Sequence, residues 1–112
     1  MRGDFIAVIP ARAGSKGIPN KNRRPFLGRP LIEWTVSTAV ESEIFKHVIT
    51  STDDPLIAKI AVSSGAESPF IRPEVLSGDN VGTAEVVQHA VRWLKKNLGE
   101  DVTNVIVLEP TS

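Results

Sequence analysis

The chain has 112 residues, 41% of them hydrophobic and 23% charged, with no cysteine and a formal net charge of +0. That length and composition suit one domain with an ordinary core, and the lack of cysteine excludes a disulfide framework and any thiolate metal site. No apolar run approaches the ~18 residues that span a bilayer, and the start, MRGDFIAVIP, lacks the long apolar stretch and small-residue cleavage site of a secretory signal, so a cytoplasmic protein with no membrane role is expected.

The neutral total hides a polarised distribution. Between Phe5 and Ile32 stand six cations, Arg12, Lys16, Lys21, Arg23, Arg24 and Arg29, and no acid, which leaves the rest of the chain strongly acidic. A neutral chain argues against broad nucleic-acid binding, whereas a concentrated basic segment argues for a local anionic ligand.

In chain order, Phe5–Pro10 (FIAVIP) is near-continuously apolar and reads as a strand buried on both faces of a parallel sheet. From Pro10 to Pro30 there is neither helical nor strand periodicity. A helix follows over Pro30–Glu43, with Ile32, Val36, Ala39 and Val40 inward. His47–Thr52 (HVITST) is a β-branched strand. Asp54 and Pro55 form an N-cap and first helical position, and a second helix runs to Ser64 with Leu56, Ile57, Ile60 and Ala61 inward and Gly65 as its stop. Ser68–Arg72 is a weaker strand. A third helix spans Thr83–Leu98, with Val87, Ala90, Val91 and Leu94 inward and Gly99 after it. Asn104–Pro110 (NVIVLEP) is a strong last strand. The alternation implies an α/β fold, a Rossmann-like open, mostly parallel sheet with flanking helices. In such sheets ligands sit at the carboxyl ends of strands, where the opening loop, STDD, RPEVLSGDN and EPTS all fall. Because the last strand has no helix after it to cover it, residues 1–112 are expected to be the incomplete, nucleotide-binding half of a longer domain.

The opening loop carries the chemistry. A loop of about twenty residues inside a compact domain is usually functional or disordered, and Phe26 and Leu27 suggest packing in its second half. A dinucleotide fingerprint does not fit, since only Gly14 and Gly17 are present and Pro19 and Pro25 block a helix; no P-loop string occurs either. What remains is a third design. Gly14 and Gly17 let backbone N–H groups approach an anion, Ser15 adds a hydroxyl, and Arg12, Lys16 and Lys21 add charge. A cation about 4 Å from a phosphate oxygen gains about 4 kcal/mol at an effective dielectric near ~20. Two or three such contacts hold a triphosphate. The competing reading, a solvated basic loop, leaves the same cations repelling one another with no gain.

IPARAGSKGIPNKN (Ile9–Asn22) resembles the opening motif of the acylneuraminate cytidylyltransferases, the CMP-sialic acid synthetases, and the likeness continues in STDDPLIAKIA, RPEVLSGDN and VLEPTS. The resemblance implies the nucleotide-diphospho-sugar transferase type of fold and a reaction joining CTP to a 2-keto sugar acid, with Mg²⁺, to give a CMP-sugar and pyrophosphate. It implies that Arg12, Ala13, Gly14, Ser15, Lys16, Lys21 and Asn22 bind the triphosphate, with Lys21 and Arg12 catalytic and Lys21 at the α-phosphate. It implies that Arg72, Val81 and Thr83 surround the cytidine, and that Glu109, Thr111 and Ser112 face the sugar. It further implies a homodimer at full length, with metal ligands in a second half not present among these residues. The family usually reads Leu-Gln-Pro-Thr-Ser-Pro at this last strand, and Glu109 stands where it has glutamine. That leaves the sugar open among sialate, 3-deoxy-octulosonate, pseudaminate and legionaminate types. A CTP-binding module without turnover is the alternative from another class.

Other chemistry-bearing residues have plainer readings. Asp53 and Asp54 could bind a metal, but Asp54 suits a helix cap better and Asp53 could line the cleft. Asp79 and Asn80 suit a turn. His47 and His89 lack metal-ligand spacing and suit surface or partly buried positions. Trp34 and Trp93 suit packing, Arg92, Lys95 and Lys96 an exposed helix face, and Arg23 and Arg24 either solvent or ligand.

Overall fold

A computed structural model describes residues 5–11, 25–26, 28–78 and 81–110. The elements are β1 (Ile6–Pro10), β2 (Pro25–Phe26), β3 (Arg29–Pro30), α1 (Leu31–Ser42), β4 (His47–Ser51), α2 (Pro55–Ser63), a 3-10 turn at Glu74–Leu76, α3 (Thr83–Leu98) and β5 (Val105–Val107). The fold is α/β and Rossmann-like, as the alternation implies. Its main sheet is parallel, in the order β4-β1-β5, with Val8 opposite both Ile49 and Val107.

Alternation along β1 decides which helix covers which face. Ala7, Ile9 and Ala11 join Ile32, Val36 and Ala39 of α1 and Ile57 and Ala61 of α2. Ile6 and Val8 face the other way, against Ile49 of β4 and Ala90 and Leu94 of α3. Both faces of β1 are therefore covered, which is the reason its sequence is continuously apolar. Each fully buried Ile or Val side chain contributes about 1.5–3 kcal/mol.

Local chemistry sets the helix ends. Asp54 Oδ1 accepts the Leu56 N–H at 2.9 Å, and Pro55 at the first helical position has no N–H to leave unpaired. α3 ends at Gly99, whose φ of 66° lets its N–H reach the Lys95 carbonyl at 3.1 Å. Gly65, at φ +108°, turns the chain out of α2 directly beneath Val40, whose Cγ2 stands 3.3 Å from where a Cβ would be.

The structure corrects several sequence expectations. Ser68–Arg72 is not a strand. The chain meets the sheet at a single bridge, with the Glu67 N–H on the Val48 carbonyl at 2.8 Å and the Thr50 N–H on the Glu67 carbonyl at 2.9 Å. It then leaves the sheet at Pro69, which has no N–H to donate. The interval from Pro10 to Pro30 contains a short antiparallel ladder, Pro25 opposite Pro30, around Gly28 at φ +85°; two-residue strands are too short to show a period. Val40 and Leu56 are 36% and 45% exposed instead of inward, Val40 lying in the last turn of α1 and Leu56 in the first turn of α2. On α3 the fully covered row is Val86, Ala90 and Leu94 at helical i, i+4 spacing, while Val87 and Val91 are half-buried. β5 is half-buried along its length, because among the described residues only β1 pairs with it.

Candidate functional site

Parallel pairing brings the ends of the three strands to one edge. Pro10 and Ala11 leave β1, Ser51 and Thr52 leave β4, and Leu108 and Glu109 follow β5. α2 and α3 start at the same edge, so two helix N-termini, with their partial positive charge, face it. The first residue of the cationic loop, Arg12, comes directly after Ala11.

Arg72 is the most constrained polar side chain of this edge, only 4% exposed. Its Nε donates to Ser51 Oγ at 3.1 Å, its Nη2 to the Ser51 carbonyl at 2.6 Å and its Nη1 to the Leu76 carbonyl at 3.4 Å. Its backbone N–H donates to the Thr52 carbonyl at 2.7 Å, and the Ser51 carbonyl also accepts the Ala11 N–H at 2.9 Å. The segment after Pro69 is thus fastened to the sheet by its arginine rather than by a strand ladder. Thr52 Oγ1 accepts the Asp54 N–H at 3.1 Å and turns the chain from β4 into α2.

Across the crevice, Thr83 Oγ1 and Glu109 Oε1 are 3.4 Å apart. The Val81 N–H meets the Gly78 carbonyl at 3.3 Å, and Glu85 Oε2 accepts the Gly82 N–H at 3.4 Å. Behind the Arg72 segment, Phe70 stands edge-on to His89 with ring centroids 4.6 Å apart, and 6.0 Å from Trp93. Burial, then the charges of Arg72 and Arg92, hold the His89 pKa below its ordinary 6.5. Trp34, with Thr38, Leu108 and Glu109, lines a groove of about 420 Å³ between α1 and β5.

The opposite edge of the sheet is different in kind. His47 Nδ1 lies 2.6 Å from Glu67 Oε2, and Lys46 Nζ lies 2.7 Å from Glu100 Oε2. The Lys46 hydrogen bond is the main reason the Glu100 carboxyl titrates below its ordinary range. These groups pair acids with bases near the amino ends of the strands.

Of the residues singled out in the sequence, Arg72, Val81, Thr83 and Glu109 all belong to the carboxyl edge. Arg12, Ala13, Gly14, Ser15, Lys16, Lys21, Asn22, Thr111 and Ser112 lie outside the described residues, as do Arg23, Arg24, Asp79 and Asn80. Among the described residues no group of three or more His, Cys, Asp or Glu side chains converges as a metal site, and none of the described helices is long and apolar enough to cross a membrane. Sequence reasoning missed Ser51. The signal was present in the STDD stretch, a small hydroxyl residue at the last position of an otherwise apolar strand.

A family model described as cytidylyltransferase matches residues 6–104. The chain is 44% identical over 90 residues, 80% of its length, to the pseudaminic acid cytidylyltransferase of Campylobacter jejuni, and covers 39% of that protein. It is 39% identical over 112 residues, 100% of its length, to the N-acylneuraminate cytidylyltransferase of Escherichia coli, and covers 25% of that protein. A solved structure of CMP:2-keto-3-deoxy-manno-octonic acid synthetase complexed with CTP superposes with a TM-score of 0.72 at 23% identity, over 96% of this chain and 40% of the other, a likeness of fold. The chain thus spans less than half the length of each of these relatives. With a family model matched across residues 6–104, the chain belongs to the cytidylyltransferase family.

Proposed function

We propose that these residues form the nucleotide-binding part of an enzyme that joins CTP to a 2-keto sugar acid of the sialic acid type. In this reading the anomeric hydroxyl of the sugar acid attacks the α-phosphate in line. A new oxygen–phosphorus bond forms as the hydroxyl gives up its proton to solvent, the bond from the α-phosphorus to the bridging oxygen breaks, and pyrophosphate leaves. The protein's share is to position the reactants and to neutralise charge. Arg12, Ser15, Lys16, Lys21 and Asn22, together with backbone donors at Ala13 and Gly14, take the triphosphate, with Lys21 at the α-phosphate. Arg72, Val81 and Thr83 take the cytidine, and Glu109, Thr111 and Ser112 face the sugar.

The observation that carries this reading is the placement of Arg72, Val81, Thr83 and Glu109 on the strand edge from which the cationic loop departs. Mg²⁺ is the accompanying ion we propose. The described residues offer no cluster to hold it, so no step is routed through it and its ligands are assigned to residues outside that set. A cytoplasmic homodimer completes the proposal on the strength of the family resemblance. A CTP-binding module without turnover is the alternative reading that the same test separates.

Pyrophosphate release from CTP, measured with a panel of sialate, pseudaminate, legionaminate and 3-deoxy-octulosonate acceptors, tests the proposal. Release with one of these acids is the expected result. CTP binding without release from any acid selects the module reading, and no CTP binding overturns both.

A further inference from the structure

We infer that Ser51 is a positioning residue that sets the Arg72 guanidinium for the nucleotide before the nucleotide arrives. The inference rests on the proposed CTP site and adds to it a residue that touches no substrate. Ser51 grips one edge of the guanidinium twice, through its hydroxyl to Nε at 3.1 Å and through its carbonyl to Nη2 at 2.6 Å. Two acceptors from one residue fix both the position and the plane of a rigid fork. The same carbonyl accepts the Ala11 N–H at 2.9 Å, so one residue fixes the arginine relative to the strand end from which the cationic loop departs.

Burial makes this arrangement decisive. Ser51 is fully buried and Arg72 nearly so, and a guanidinium taken out of water keeps an orientation only if its donors are met. The backbone alone does not supply that orientation. Beyond the Glu67 bridge the segment is not a strand, and its backbone tie to the sheet edge is the Arg72 N–H on the Thr52 carbonyl. The Ser51 hydroxyl meets Nε, the donor closest to the arginine's aliphatic stem, and so limits rotation about the last side-chain bonds. Pre-set donors gain affinity by removing an ordering cost from the binding step.

The test is a CTP titration by calorimetry of the unsubstituted chain, Ser51→Ala and Ser51→Cys, each with a thermal melt. Alanine removes the hydroxyl, and cysteine keeps nearly the same volume but is a weak acceptor. Both variants are expected to bind CTP about tenfold more weakly, the size of one lost hydrogen bond to a charged group. Wild-type affinity in both variants overturns the inference even if their melting temperatures fall, because Ser51 then serves stability alone. Wild-type affinity in the cysteine variant only also overturns it, because packing rather than hydrogen bonding is then responsible. A chain that binds no CTP before substitution overturns the proposed function itself, a result distinct from either. The Arg72 Nε–H of the unsubstituted chain gives a second readout independent of the variants' folding. It is expected to exchange slowly with solvent in the absence of nucleotide, and fast exchange contradicts pre-setting.

Discussion

Thr83 Oγ1 and Glu109 Oε1 lie 3.4 Å apart, joining the first residue of α3 to the second residue after β5. One is placed at the cytidine and the other at the sugar in our proposal, so the two halves of the reaction meet in this contact. Glu109→Gln keeps an oxygen for Thr83 to donate to and removes only the charge. The preference among sugar acids is expected to change, while the apparent KM for CTP moves by less than about twofold. Pyrophosphate release with a fixed acceptor panel checks both numbers, and a large loss of CTP affinity would mean that Glu109 serves the nucleotide.

Lys21 is proposed to meet charge that develops at the α-phosphate during the reaction. A group of that kind acts on the transition state more than on the bound ground state. Lys21→Ala should therefore lower kcat on the order of 10²–10³-fold, the loss typical of a removed stabilising donor, with a much smaller change in CTP dissociation constant. Steady-state rates set beside a calorimetric titration separate the two, and unchanged turnover removes Lys21 from the mechanism.

Gly65 is a structural position with no stake in the chemistry. Its φ of +108° is a conformation that side-chain-bearing residues rarely adopt, and Val40 Cγ2 closes the space at 3.3 Å. Gly65→Ala is expected to destabilise the fold by about 1–3 kcal/mol, seen as a fall of at least about 4 °C in melting temperature. A melt within about 1 °C of the unsubstituted chain would contradict the strain argument.

His89 gives the fold a pH dependence of definite sign. Its folded pKa is lowered from 6.5, first by burial and then by Arg72 and Arg92, so below that pH the unfolded chain takes up the proton more readily. Stability is therefore present above 6.5 and declines as pH falls from there toward the lower folded pKa. Glu100 and Asp101 are lowered from 4.5 and 3.8, mainly by hydrogen bonds from Lys46 and Lys95, and their contribution is lost only in more acid solution. His89→Phe should remove the first decline and leave the second, as read from denaturant midpoints across the pH range. An unchanged first decline would show that His89 is not its source.

Much of this molecule was legible in the sequence because its signals are local. Asp54 and Pro55 announce α2, Gly99 closes α3, and the apolar run of β1 announces a doubly covered strand. Ser68–Arg72 has the apolar content of a strand but at Pro69 lacks a ladder donor, and the ladder around Gly28 leaves no mark in the sequence because two-residue strands carry no period. Motif resemblance singles out Arg72, Thr83 and Glu109, which the fold brings to one strand edge. Ser51 was not reached, because its role depends on a residue 21 positions away that only the folded chain brings to it.

In the proposed function CTP occupies the carboxyl edge of the β4-β1-β5 sheet. Mapping backbone amide shifts of the chain during a CTP titration tests it most directly. The expected perturbations centre on Ala11, Ser51, Arg72, Val81, Thr83 and Glu109, and leave His47, Glu67 and Glu100 at the opposite edge unmoved. Shifts centred on His47, Glu67 and Glu100, or no shifts at saturating CTP, would contradict it.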